Sequence, residues 1–231
     1  MKSFWTAIRF LTFFRRPEAT KITSEEIGKS TSFFPLVGFS MGLVLVLLNW
    51  LLDPYLASEI VSVLLVAALM LMTRAQHLTG LKNSFDGLGV ERDRGIGING
   101  LLAVLVTVAL KFRAVEVMGD ARSEGLLLAP VLGRWAMVIF AYGSDLANGG
   151  TEQIGAQHIR GSHLLLATVT ALLLVIAFAS RIGLWIALWI SLLTLLSRSY
   201  LHRRTGGVTV DHFGAVGEIS ETLTLVFLAS L

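Results

Sequence analysis

The stretch from Phe33 to Leu52 carries no charged residue and matches the ~20 residues an α-helix needs to cross a bilayer. Similar apolar runs recur at about Ile60–Thr73, Gly95–Leu110, Leu126–Tyr142, Leu164–Ser180, Ile182–Ser197 and Thr222–Leu231. Only helices and closed barrels satisfy their backbone groups inside lipid, and long runs without alternation favour helices. Composition agrees. Of 231 residues, 54% are apolar and 15% charged, with a mean hydropathy of +0.72. An average soluble domain carries about 25% charged residues, so too little charge is present to solvate a globular surface.

These runs predict an all-α, polytopic membrane protein with about six to seven transmembrane helices in a single integral-membrane domain over 1–231. Phe4 to Phe14, interrupted by Arg9, reads as an amphipathic interfacial helix. It lacks the small-residue cleavage pattern of a signal peptide. Gly38 and Gly42 form a small-xxx-small pair that lets two membrane helices approach closely. Only Arg181 separates two of the runs, which leaves either a tight helical hairpin or one long broken helix.

The absence of cysteine excludes disulfides, iron–sulfur clusters and thiolate zinc sites, and the five histidines show no His-x-x-x-His pattern. The net charge of +3 reflects orientation rather than nucleic-acid binding. Fourteen Lys and Arg fall on one side of the expected topology, in the N-terminal segment, in 74–94, at Arg160 and in 198–204. Four fall on the other side, Lys111, Arg113, Arg122 and Arg181. The positive-inside rule then places the first set in the cytoplasm of a cell that carries the chain in its (inner) membrane. In either orientation, 74–94 and 198–221 share a face, because four spans separate them.

Gly95, Gly97 and Gly100 match G-x-G-x-x-G, but charged residues rather than a strand precede them, so close packing or a bent helix start is the better reading. Thr79, Asn83 and Asp86 fall at i, i+4 and i+7, an oxygen-bearing helical face with one carboxylate; taken alone, a solvated loop is expected there. Asp211, Gly214, Glu218 and Glu221 fall at i, i+3, i+7 and i+10 ahead of an apolar run. Carboxylates entering a membrane helix are costly and are usually functional or paired, which outweighs simple helix capping. Arg134 lies inside a span; it either pairs with an acid such as Asp86 or Glu218 or holds a phosphate. His158 and His163 sit in a loop with no chemistry expected of them.

At these residues the chain resembles the cobalamin synthase family, the adenosylcobinamide-GDP ribazoletransferases of vitamin B12 assembly. The similarity runs over nearly the whole chain. It includes Phe10 to Thr12, Phe34 to Gly38, His77 to Leu81, Asp86-Gly87, Ile96 to Gly100, Lys111-Phe112 and Ala129 to Trp135. The segment Gly206 to Glu221 is the most specific, because its glycine, threonine, aspartate and glutamate positions match in register. Thr79 and Asn83 stand where the family pattern has aspartates, Val210 stands where glycine is usual, and Arg92-Asp93 aligns with a Lys-Asp-Ser-Arg motif.

The resemblance implies a membrane transferase that joins adenosylcobinamide-GDP to α-ribazole or its 5′-phosphate and releases GMP. It implies magnesium held by Asp86, Asp93, Asp211 and Glu218, with Glu221 behind them. Arg134 and Asp211 would act in catalysis, and Gly206, Gly207 and Thr209 in binding. The bilayer and other corrinoid-assembly enzymes are the implied partners, and nucleic acid is not. Two alternatives stand beside it. A magnesium-dependent phosphotransferase using CDP-activated lipids would need a D-G-x-x-A-R spacing that is absent after Asp86-Gly87. A relative of impaired activity, acting as a scaffold or small transporter, would fit the altered acidic face, although no internal repeat supports a transporter.

Overall fold

The computed structural model describes residues 2–13, 22–88, 97–145 and 155–230. They form α1 (Lys2–Leu11), α2 (Ser24–Ser30), α3 (Phe34–Leu52), α4 (Ser58–Met72), α5 (Gln76–Leu88), α6 (Ile98–Val117), α7 (Arg122–Ala141), α8 (Gly161–Thr205) and α9 (Val210–Ala229). Four stretches are long and apolar enough to cross a membrane: Ser24–Leu52, α6, Gly119–Ala141 and α8. The pair α4–α5, bent by 83°, adds a fifth if counted as one span.

Helix α8 resolves the alternatives at Arg181. Ser180 breaks it with φ 49° and ψ −132°, and a Cβ added to Gly183 would lie 3.2 Å from the Val175 carbonyl oxygen. Residues eight apart in a straight helix are separated by ~12 Å, so the chain folds back into a helical hairpin. Gly183 leaves room for the two arms to touch. Counting both arms of α8 and the α4–α5 pair gives six such stretches among the described residues, within the six or seven expected.

Burial sorts these helices by environment. In the most apolar window of Gly119–Ala141, 89% of residues are buried, against 17% in that of α8. Thus α7 runs through the protein interior, while α8 turns most of its surface outward to lipid. The Gly38/Gly42 pair does what its spacing suggests. A Cβ added to Gly38 would collide with the Pro130 carbonyl, and one added to Gly42 would lie 2.7 Å from Leu127 Cα. Only glycine lets α3 seat this closely on α7.

Three stretches differ from their expected form, each for a tertiary reason. Segment 76–88 is a helix rather than a solvated loop, because Leu78 and Leu81 pack with Ala215 of α9. Helix α6 continues past Leu110 to Val117, since the charge at Lys111 is buried and paired instead of ending the helix. The last helix starts at Val210, not near Thr222, and its carboxylates Glu218 and Glu221 lie inside the protein.

The two ends of the bundle are fastened differently. At one end the Val208 N–H donates to the Asp145 carbonyl (2.8 Å), and Gly28 of α2 abuts Gly155 and His158. At the other end Arg122 donates to the Val115 carbonyl (3.0 Å), to Asp53 (3.2 Å) and to Ser58, tying the α3–α4 and α6–α7 connections together. Segments 74–88 and 206–221 meet at the first end, as the span count requires.

Candidate active site

Helices α5 and α9 cross in contact because Gly80 has no side chain. A Cβ there would lie 2.7 Å from the Asp211 carbonyl oxygen and 3.3 Å from its Cα. Backbone, not a flexible side chain, blocks that space. Gly80→Val is therefore expected to push the helices apart at a cost of about 1–3 kcal/mol. The check is a lower unfolding temperature in detergent together with reduced activity.

A cavity of about 640 Å³ opens beside this crossing. Its polar lining among the described residues is Arg9, Thr12, Arg74, Gln76, His77, Thr79 and Asp211, with Phe10, Met137 and Phe213 among its apolar walls. Helix α1 is thus more than an interfacial element. Phe10 stacks on Phe34 at 5.9 Å and contacts Phe213 at 6.1 Å, while Trp5 faces outward. The apolar side of α1 closes the cavity.

Asp211 is the single acidic group among the described residues lining this cavity. Its Oδ1 accepts a hydrogen bond from Asn83 Nδ2 at 3.2 Å, which fixes the carboxylate. The turn that delivers Asp211 is built by its neighbours. Gly206 takes a left-handed conformation (φ 67°) to end α8, and the Thr209 hydroxyl accepts from the His212 N–H (3.2 Å) to start α9. In return, His212 Nδ1 accepts from the Thr209 N–H at 3.3 Å. Gly206 and Thr209 therefore shape the helix junction, Gly207 lies between them, and none of the three lines the cavity.

The four-carboxylate set expected to hold a metal is not gathered by the described residues, among which no group of three or more His, Asp or Glu side chains is placed to bind an ion. Asp93 lies outside the described residues. Asp86 turns to α6, accepting from the Gly100 N–H (2.7 Å) and from Lys82 (2.7 Å). Gly97 and Gly100 make room for that carboxylate, since a Cβ on either would collide with it. The glycine pattern that imitates a dinucleotide fingerprint is, in this fold, a seat for Asp86 at a helix N-terminus. Glu218 sits seven residues beyond Asp211, about 10 Å farther along α9, and faces Lys111 at 2.6 Å.

Glu218 belongs to a second, deeper cluster. Lys111 also pairs with Glu221, and Glu221 pairs with Arg134; all four side chains are at most 5% exposed. Arg134 does not reach the cavity. Its partner is Glu221 rather than Asp86 or Glu218, and its Nε and Nη2 are buried without a hydrogen-bond partner among the described residues. Two cations and two carboxylates balance where an isolated charge would be prohibitive. Lys111 escapes a reading of the sequence because a lysine just past an apolar run looks like the start of a loop. The signals available are the Lys111-Phe112 match to the family and the i, i+3 pair Glu218 and Glu221 in a later helix.

This arrangement defines a helical membrane protein with a polar cavity at one end and a neutralised ionic core beneath it. The chain belongs to the cobalamin-5-phosphate synthase family, whose model matches residues 3–229. It is 32% identical to an adenosylcobinamide-GDP ribazoletransferase of Geotalea daltonii, over 100% of this chain and 98% of the relative. Proteins of the same name from Syntrophobacter fumaroxidans (36% identical, 96% of both chains) and Pseudomonas fluorescens (35%, 99% of both) match equally broadly. No solved structure matches the chain.

Proposed function

We propose that this chain joins adenosylcobinamide-GDP to α-ribazole or α-ribazole 5′-phosphate and releases GMP, using the cavity between α1, α5 and α9. The observation that carries this reading is the match to the family and to named transferases over essentially the full length of both partners. In the reaction the ribose hydroxyl oxygen bonds to the phosphorus that bears cobinamide. The bond from that phosphorus to the GMP phosphate oxygen breaks, the electron pair leaves with GMP, and the hydroxyl proton is released. Such transfers depend on positioning and charge neutralisation more than on covalent help from the protein.

The donor set suits a magnesium ion brought in with a diphosphate. Magnesium is usually held by one or two carboxylates plus substrate phosphates rather than by a protein cage, and Asp211 is a fixed carboxylate on the cavity wall. Asp211 would hold the ion, and Asn83 and Thr79 beside it offer neutral oxygens. Magnesium, when bound there, supplies charge neutralisation for the diphosphate. Asn83 keeps the Asp211 carboxylate oriented, and the apolar wall of Phe10 and Phe213 limits water. The excess of Lys and Arg in the segments at this end supports a cytoplasmic site.

The test is GMP release by the purified protein in detergent or nanodiscs. Turnover is expected to stop on chelation with EDTA and to return with added Mg²⁺. Turnover that continues under chelation removes magnesium from the scheme. No GMP release with either acceptor, in magnesium, overturns the transferase reading.

A further inference from the structure

Arg74 occupies an unusual place. It and Ala75 are consecutive non-glycine residues in the left-handed region, with φ 54° and 53°. That conformation is disfavoured for residues bearing a Cβ and collects at functional sites. The pair makes the corner between α4 and α5, closed by the Ala75 N–H donating to the Met70 carbonyl (2.8 Å). A corner required only to bend would be served by glycine. Here it carries an arginine among the residues that line the cavity.

The corner also recruits α1. Arg74 Nη2 donates to the Phe13 carbonyl (2.7 Å), and the Phe13 N–H donates to the Met72 carbonyl (3.0 Å). This stitch holds the end of α1 over the cavity and brings Arg9 into the same lining. Among the described residues Arg74 makes no ion pair and no other side-chain hydrogen bond, so most of its donor fork is uncommitted. Among the described residues, the cavity lining thus carries two arginines and one carboxylate, Asp211. Guanidinium stays charged at any working pH and matches phosphate oxygens in pairs.

We propose that Arg74 and Arg9 form the subsite for a phosphate monoester, that of the departing GMP. This rests on the transferase reading above and assigns the leaving-group side of that cavity. When the phosphorus–oxygen bond breaks, its electron pair stays on the GMP phosphate oxygen, where the arginines offset the added charge. Asp211, on the same cavity wall, would hold the metal ion, which would supply charge neutralisation at the transferred phosphorus. The fit is to the phosphate, whose charge and paired oxygens the Arg9 and Arg74 guanidinium groups match.

The experiment compares wild type with Arg74→Gln and Arg9→Gln in nanodiscs. Gln keeps an N–H donor for the Phe13 carbonyl, so the stitch survives while the charge goes. The expected result is a rise of about tenfold or more in KM for adenosylcobinamide-GDP and in the GMP inhibition constant. KM for α-ribazole and for α-ribazole 5′-phosphate should stay within about twofold. Unchanged GMP inhibition in variants that melt like wild type overturns the proposal. So does a shift confined to α-ribazole 5′-phosphate, which would give the subsite to the acceptor. Should Arg74→Gln fail to fold, Arg9→Gln alone carries the same readings. Calorimetric binding of GMP, with guanosine as the control lacking phosphate, separates the two levels. Arginine-dependent GMP binding without turnover would sink the transferase reading alone. Turnover with arginine-independent GMP binding would sink this proposal alone.

Discussion

Replacing Glu221 by alanine is expected to destabilise the protein by about 3–5 kcal/mol, the largest loss of stability expected from any single substitution in the ionic core. Glu221 is 1% exposed and faces both Lys111 and Arg134. Its removal leaves Lys111 with Glu218 but strands the Arg134 guanidinium, whose Nε and Nη2 already lack partners, in a desolvated helix interior. Neither water nor lipid headgroups can reach a side chain with no exposed surface. The penalty comes from the uncompensated charge and not from the lost contact itself. A thermal melt in detergent measures it, and a second variant isolates the cause. Arg134→Met combined with Glu221→Ala removes both charges and should recover most of the loss. A single variant that melts like wild type would show that the four charges are not closed off as described.

Asp211→Asn is expected to have the largest effect on activity, a fall in turnover of at least about a hundredfold with little change in unfolding temperature. The amide matches the carboxylate in shape, so the α9 start and the packing against Gly80 persist. What disappears is the one negative charge among the described cavity-lining residues. The same loss should weaken the magnesium dependence, because ligand charge sets the affinity of an oxygen site. GMP release measured across a magnesium titration reads both effects. Normal turnover in Asp211→Asn would move the chemistry away from this carboxylate, leaving the family assignment intact.

Much of the fold is legible in the apolar runs, because a bilayer filters for length and hydropathy and leaves few alternatives. The close α3–α7 contact is legible too, since a glycine pair four apart has few other uses in a membrane helix. The acidic positions are harder to read. Asp86, Asp211 and Glu218 look alike as letters with helical spacing, yet one caps α6, one faces the cavity and one neutralises a lysine. Spacing along a helix places a residue on a face but does not say which neighbour that face meets.

From its amino-acid order alone the chain was bound to be helical, to live in lipid, to place the segments 74–94 and 198–221 on one face, and to resemble the cobalamin synthases. Those properties follow from local length, hydropathy and residue identity. Tertiary packing decided which carboxylate meets which cation, that Lys111 lies inside α6, that α8 folds back at Ser180, and that Arg9 and Arg74 share a cavity with Asp211. Charge pairing and close approach depend on distances between segments far apart in the chain, and those distances exist only once the helices have packed.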